Sequence, residues 1–170
     1  MRSHLEQLSQ ELKSSISGMN DEELLRAPEG KWCAAEVLEH LRLTYTGTAK
    51  MLEKNQGQAV VEPAAVDDRV RAARELIFRH GGFFEGLQAP PFATPKTAPD
   101  ATVRTRIFED LERLDAALAE AEERRGANAI QGNHFALGPL TGEEWRHFHL
   151  AHGRHHVKQI AKLRGEAAKA

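Results

Sequence analysis

Apolar residues recur at spacings of three and four along four long segments of the chain, a period that is typical of amphipathic α-helices. The segments cover residues 3–16, 34–53, 100–125 and 141–163. No stretch alternates polar and apolar residues for long enough to predict a β-strand. Because amphipathic helices bury their apolar stripes against one another, the sequence predicts an all-α, four-helix bundle.

The connections between these helices also carry local signals. Thr141 and Glu144 have the spacing of a capping box at the start of the last helix. Residues 88–99 hold four of the seven prolines and are predicted to be extended or irregular. Residues 127–140, with two glycines and a proline, are predicted to be a loop. Asp67 or Asp68 is a suitable N-cap for a further helix inside the long connection before the third bundle helix.

Length and composition favour a single globular domain over residues 1–170. The 23 Lys and Arg residues nearly balance the 25 Asp and Glu residues, so no basic excess indicates a nucleic-acid partner. No apolar run approaches the length of a membrane span, and the first residues lack the apolar core of a signal peptide. One cysteine excludes a disulfide framework. We therefore expect a cytoplasmic protein without nucleic-acid or membrane partners.

Histidine is concentrated in the last predicted helix, which holds five of the nine histidines between His147 and His156. His152 and His156 are four residues apart, so they share one face of the helix, and both fall in its apolar seam. Burying two imidazoles without partners is unfavourable, and one shared metal ion would satisfy both. His40, at the edge of the apolar stripe of the second long helix, is the best candidate for a third ligand.

Other residues near this cluster have less certain roles. Glu36 lies one turn before His40, and His149 and Gln159 flank the histidine pair, so all three are candidates to orient a ligand or move a proton. No catalytic residue is assigned. His134 falls in the predicted loop and is ambiguous. The alternative is a bundle without metal whose histidines are ordinary packed residues.

Three motifs make the chain resemble the DinB/YfiT-like superfamily. Residues 30–41, GKWCAAEVLEHL, are similar to the family's Trp-Ser/Thr-x-x-Glu-x-x-x-His-Leu, with Cys33 in place of the usual Ser or Thr. Residues 152–159, HGRHHVKQ, are similar to His-x-x-His-His-x-x-Gln, with Val-Lys in place of a frequent Arg-Gly. Residues 138–145, GPLTGEEW, resemble the start of the last helix in a branch of unknown function.

The resemblance implies a four-helix bundle with a long crossover, residues 54–99, that contains an extra helix between the second and third bundle helices. It also implies one divalent metal ion held by His40, His152 and His156. Nickel or zinc is expected, with manganese and iron as alternatives. Characterised relatives include thiol-dependent S-transferases and a maleylpyruvate isomerase, and many form homodimers.

The expected function is therefore that of a metal-binding protein acting on a small-molecule substrate. The first hypothesis is a metal-dependent S-transferase that joins a low-molecular-weight thiol to a small electrophile. One alternative is a metal-dependent hydrolase that uses the same three histidines. The other is a stress protein that binds a metal or ligand without catalysis.

Overall fold

Four long helices form the body of the protein, as the apolar spacing predicts. The computed structural model describes residues 3–55, 67–84, 86, 88–97 and 99–167. The α-helices of these residues are α1 Ser3–Ile16, α2 Asp21–Leu25, α3 Ala34–Lys54, α4 Asp68–Arg74, α5 Val103–Arg125 and α6 Gly142–Ala167. A π-helical turn, Glu75–Arg79, continues α4, and a 3-10 turn covers Pro91–Ala93. The all-α prediction is confirmed, and α4 is a helix within the crossover.

Side-chain contacts give the directions of the bundle helices. The Arg42 guanidinium, in the first half of α3, donates to Asp110, in the first half of α5, at 2.6 Å. Arg125, at the end of α5, donates to the carbonyl of Asn55, at the end of α3. Residue numbers rise together along α3 and α5, so these two neighbours run parallel. A connection between parallel neighbours has to travel back along the bundle, and this is the role of the crossover.

A β-hairpin precedes α6, and the prediction of a loop without strands over residues 127–140 was wrong. Strand β1, Ile130–His134, pairs antiparallel with β2, Gly138–Thr141. The strands have only five and four residues and contain glycine and proline, so no alternating apolar pattern marks them. The pairing is irregular between Ile130 and Gly132, which leaves Gln131 as the extra residue of a bulge.

The hairpin leads directly into α6. The Thr141 hydroxyl accepts a hydrogen bond from the Glu144 backbone N–H at 3.3 Å, and the Glu144 carboxylate accepts one from the Thr141 N–H at 2.9 Å. This is the predicted capping box. Arg74 of the crossover donates to the carbonyls of Leu137 and Pro139 and pairs with Glu144. The crossover, the hairpin and the start of α6 are therefore fixed to one another.

The apolar stripes of the four long helices meet in one core. Leu5, Leu38, Leu111 and Ile160, one from each helix, have no exposed surface. The buried histidines lie on α3 and α6 and are His40, His149, His152 and His156. Among the described residues, no helix combines the length and apolar character needed to cross a membrane.

Candidate metal centre

Three imidazoles converge between α3 and α6. The Nε2 atom of His152 lies 3.0 Å from Nε2 of His40 and 3.0 Å from Nε2 of His156. One ligand atom from each residue lies within 4.8 Å of the other two. All three side chains are buried. The structure thus brings together the three histidines that the sequence selected.

A capping box begins α3, the helix that carries His40. The Cys33 Sγ atom accepts from the Glu36 N–H at 3.4 Å, and the Glu36 carboxylate accepts from the Cys33 N–H at 2.9 Å. This pair caps the helix in place of the usual hydroxyl. The Glu36 carboxylate is therefore used at the helix start, and the structure shows no hydrogen bond from it to the three imidazoles.

Two hydrogen bonds orient the outer imidazoles. His40 Nδ1 donates to the Ala93 carbonyl at 2.7 Å, and His156 Nδ1 donates to Gln159 Oε1 at 2.8 Å. Each bond places the proton on Nδ1 and leaves a lone pair on Nε2, the atom that faces the other rings. Gln159 therefore lies where the sequence predicted. The Ala93 partner was not predicted, because a backbone carbonyl in a proline-rich segment has no side-chain signal.

Aromatic stacking orients the middle imidazole. The ring of His152 stacks on Phe83, at a centroid distance of 4.9 Å, and on Phe148, at 5.7 Å, and these two phenyl rings contact each other at 6.2 Å. Its Nδ1 atom is buried and has no hydrogen-bond partner among the described residues. Trp32 packs against His40 at 5.4 Å. Phenyl and indole rings therefore contact two of the three imidazoles.

Burial keeps these imidazoles neutral. It lowers the pKa of His40, and it lowers the pKa of His156 to about 3, with the neighbouring His40 adding to the effect. The pKa of His152 lies well below its ordinary value, first because of burial and then because His156 and His40 face it. Near pH 7 the cluster therefore presents neutral nitrogen donors in a poorly solvated site, which is the form that binds a metal ion.

His149 lies one turn before His152 but belongs to a different contact group. Its Nε2 atom lies 3.2 Å from the Thr48 hydroxyl, and its ring packs edge-on against Tyr45. Burial lowers its pKa to about 3. The structure shows no hydrogen bond between His149 and the three convergent imidazoles.

A cavity of about 1570 Å³ opens onto the histidine cluster. Its walls come from α3, α6, the hairpin and the crossover, including Trp32, Phe83, Phe92, Phe148 and His134. The three histidines line this cavity, so a metal ion bound to them would be reached by small molecules from it.

Comparison with known proteins gives one match. The family model described as the DinB superfamily matches residues 4–160, which include all three convergent histidines. No curated protein and no solved structure matches the chain.

Proposed function

The chain belongs to the DinB superfamily, and from this and the histidine geometry we propose that it binds one divalent metal ion through His40, His152 and His156. The observation that carries the proposal is the convergence of three buried Nε2 atoms. Two of these atoms hold lone pairs because their rings donate elsewhere through Nδ1. The lone pairs of His40 and His156 both face Nε2 of His152, which has at most one proton to donate, and a cation would satisfy all three nitrogens together.

The spacing of the ligand atoms supports a single ion. Imidazole nitrogens bind zinc at about 2.0–2.1 Å, so two donors on one ion lie about 2.9 Å apart at right angles and about 3.4 Å apart at the tetrahedral angle. The separations of 3.0 Å from His152 Nε2 to the other two Nε2 atoms fall within this range. Imidazole donors suit zinc and nickel better than calcium or magnesium, and manganese and iron are the alternatives. Three protein ligands leave positions open for a substrate, as in catalytic sites.

We propose further that the protein transfers a low-molecular-weight thiol to a small electrophile. When bound, the ion would act as a Lewis acid that lowers the pKa of a thiol at the open position. The hydrogen bonds of His40 to Ala93 and of His156 to Gln159 would keep these two imidazoles directed at the ion. Phe83 and Phe148 would keep water away from it.

Metal content tests the first proposal. Tag-free wild-type protein and the variants His40→Ala, His152→Ala and His156→Ala would be stripped, reloaded with nickel or zinc, and measured by inductively coupled plasma mass spectrometry. His155→Ala is the matched control, because it removes a neighbouring histidine outside the convergent group. We expect about one equivalent of metal in the wild type and control and a loss in each of the three variants. A wild type that takes up no metal would overturn the proposal.

Turnover with and without thiol tests the second proposal, the transfer of a thiol to an electrophile. Metal-loaded protein would be given a chromogenic aryl chloride, with and without a low-molecular-weight thiol, and products would be separated by liquid chromatography. Thioether formation that requires both metal and thiol is the expected result. Phenol formation without thiol would assign a hydrolase instead. Metal uptake without turnover in either arm would leave a binding protein.

A further inference from the structure

One end of the cavity lies beside the hairpin and has an aromatic wall. Phe92 of the crossover and Phe135 of the hairpin turn face each other there, with ring centroids 6.1 Å apart. Phe92 is 63% exposed and Phe135 is 75% exposed. They are two of the three large apolar side chains that are exposed among the described residues. An exposed aromatic pair at a cavity wall is typical of a surface that meets an apolar ligand.

His134 supplies a polar group at this end, and its hydrogen bonds define its protonation. The backbone N–H groups of Ala136 and Leu137 both donate to His134 Nδ1, at 3.1 and 3.2 Å. A nitrogen that accepts carries no proton, so the proton of the neutral ring is on Nε2. Burial lowers the pKa of His134 to about 4, which keeps the ring neutral at pH 7. His134 is thus a fixed, uncharged N–H donor.

The Nε2 donor of His134 has accessible surface and no hydrogen-bond partner among the described residues. No described residue accepts a hydrogen bond from its Nε2. Some described polar atoms are both fully buried and without a partner, but His134 Nε2 is not one of them, so it is not fully buried. The residue itself lines the cavity. Its ring packs against Phe148 at 4.4 Å and Trp145 at 5.6 Å, so its position is set by neighbours on α6.

Charge is distributed unevenly along the cavity. The charged side chains among its described lining residues are Lys31, Arg154, Lys158 and Lys162. They lie near the start of α3 and in the second half of α6. His40 faces His156, and Thr48 faces His149, so α3 and α6 run antiparallel and the start of α3 lies beside the second half of α6. Among the residues that the structure describes, no charged side chain therefore lines the hairpin end of the cavity. The described residues there are Met51, His134, Phe135, Trp145 and Phe148.

The hairpin end is continuous with the histidine cluster. Phe148 contacts both His134, at a centroid distance of 4.4 Å, and His152, at 5.7 Å. A ring-sized ligand against Phe148 would therefore lie beside the three convergent imidazoles.

We propose that the hairpin end of the cavity binds an uncharged aromatic molecule carrying an acceptor oxygen, such as a carbonyl, to which His134 Nε2–H donates. The aromatic side chains of the cavity wall would pack against the ring of the ligand. No described charged group lies there, which favours a neutral ligand over an aromatic acid. This inference rests on the proposed function in taking the cavity as the substrate site, and it adds the substrate class.

Three matched probes test the proposal by titration calorimetry on metal-free protein. They are 2-acetylnaphthalene, which has an acceptor oxygen, 2-ethylnaphthalene, which lacks one, and 2-naphthoate, which is charged. We expect the ketone to bind about 3- to 10-fold more tightly than the hydrocarbon, the range for one neutral hydrogen bond. Equal affinities of ketone and hydrocarbon, or tightest binding of naphthoate, would overturn the proposal.

A matched variant assigns the preference to His134. In His134→Asn the side-chain oxygen can still accept from backbone N–H groups two residues on, so the turn is kept. The Asn NH2 group ends one bond short of the Nε2 position, so the donor is withdrawn from the ligand. The ketone should then bind no more tightly than the hydrocarbon, whereas His80→Asn, outside the lining, should behave like wild type. A ketone preference that survives in folded His134→Asn would overturn the assignment. If His134→Asn does not fold, as judged by circular dichroism, the three probes on wild type still decide.

Failure of this proposal can be told apart from failure of the proposed function. Zinc uptake is measured without any aromatic probe, and probe binding is measured without zinc. Zinc uptake with no ketone preference would overturn the subsite alone. A ketone preference without zinc uptake would support the subsite and overturn the metal proposal.

Discussion

His40 Nε2 lies 3.0 Å from His152 Nε2, although 112 residues separate them in the chain. The crossover supports both rings, because the Ala93 carbonyl accepts from His40 and Phe83 stacks on His152. The histidine cluster therefore depends on α3, α6 and the segment between α3 and α5.

The stability of the metal-free protein should fall as the pH drops below about 6.5. The pKa of His134 is lowered to about 4, and those of His149 and His156 to about 3, first of all by burial. Below the ordinary histidine pKa of about 6.5, the unfolded chain binds protons that the native protein does not, so unfolding becomes more favourable. Each group lowers the free energy of unfolding by up to about 1.4 kcal/mol per pH unit, until the pH reaches the pKa that the group has in the native protein. Urea denaturation at pH 7.5 and 5.5 measures the difference.

His149→Phe is the control for this pH dependence. The new ring can pack between Tyr45 and Trp145, where His149 packs now, and it removes one of the three groups. The free energy of unfolding should then depend less steeply on pH. Equal stability of the wild type at pH 7.5 and 5.5 would contradict the prediction.

Gln159→Leu should weaken metal binding without unfolding the protein. Gln159 Oε1 accepts from His156 Nδ1, and loss of such an orienting partner typically lowers metal affinity by about 10- to 100-fold. Gln159→Glu keeps an acceptor and should retain most of the affinity. Lys158→Gln is the matched control beside it. Competition with a chromophoric zinc chelator gives the affinities, and equal values for Gln159→Leu and wild type would show that Gln159 has no orienting role.

The features that sequence predicts best here are those with local signals. The period of apolar residues located the four long helices, and the Thr-x-x-Glu pattern located the start of α6. The four-residue spacing of His152 and His156 was enough to place both on one face. His40 was selected by its place at the edge of an apolar stripe and by the family resemblance, because nothing local links it to residues 112 positions away.

The features that sequence missed depend on backbone groups or on distant contacts. The hairpin strands are short and irregular, and their pairing is held by contacts such as that from Arg74, 63 residues before Leu137. The tautomer of His134 follows from backbone N–H groups that any sequence has. Glu36 is a candidate to orient a ligand, and the structure shows its carboxylate accepting a hydrogen bond from the Cys33 N–H at the start of α3.

Breaking the buried ion pair of α5 and α6 should be costly. Arg146 has no exposed surface, and its guanidinium donates to both carboxylate oxygens of Glu122, at 2.7 and 3.1 Å. Arg146→Met would leave Glu122 buried without this partner and should lower the free energy of unfolding by about 3–5 kcal/mol. The double variant with Glu122→Leu should recover much of the loss. Urea denaturation measures the free energy of unfolding of the single and the double variant. If the losses caused by the two substitutions simply add, the buried, unpaired Glu122 is not the cause of the destabilisation.

Gly153→Ala should destabilise the packing of α6 against α1. A methyl group on Gly153 would overlap Leu8 Cδ1, and Leu8 has no exposed surface, so it has little room to move. Overpacking of this kind costs about 1–3 kcal/mol. Gly165→Ala, in the same helix with open space around it, is the matched control and should stabilise by roughly 0.5 kcal/mol. Because Gly153 follows His152, the variant should also bind zinc less tightly at a temperature where it remains folded. Thermal melts and zinc competition measure the two effects, and a stabilised Gly153→Ala would show that the helices are not in close contact there.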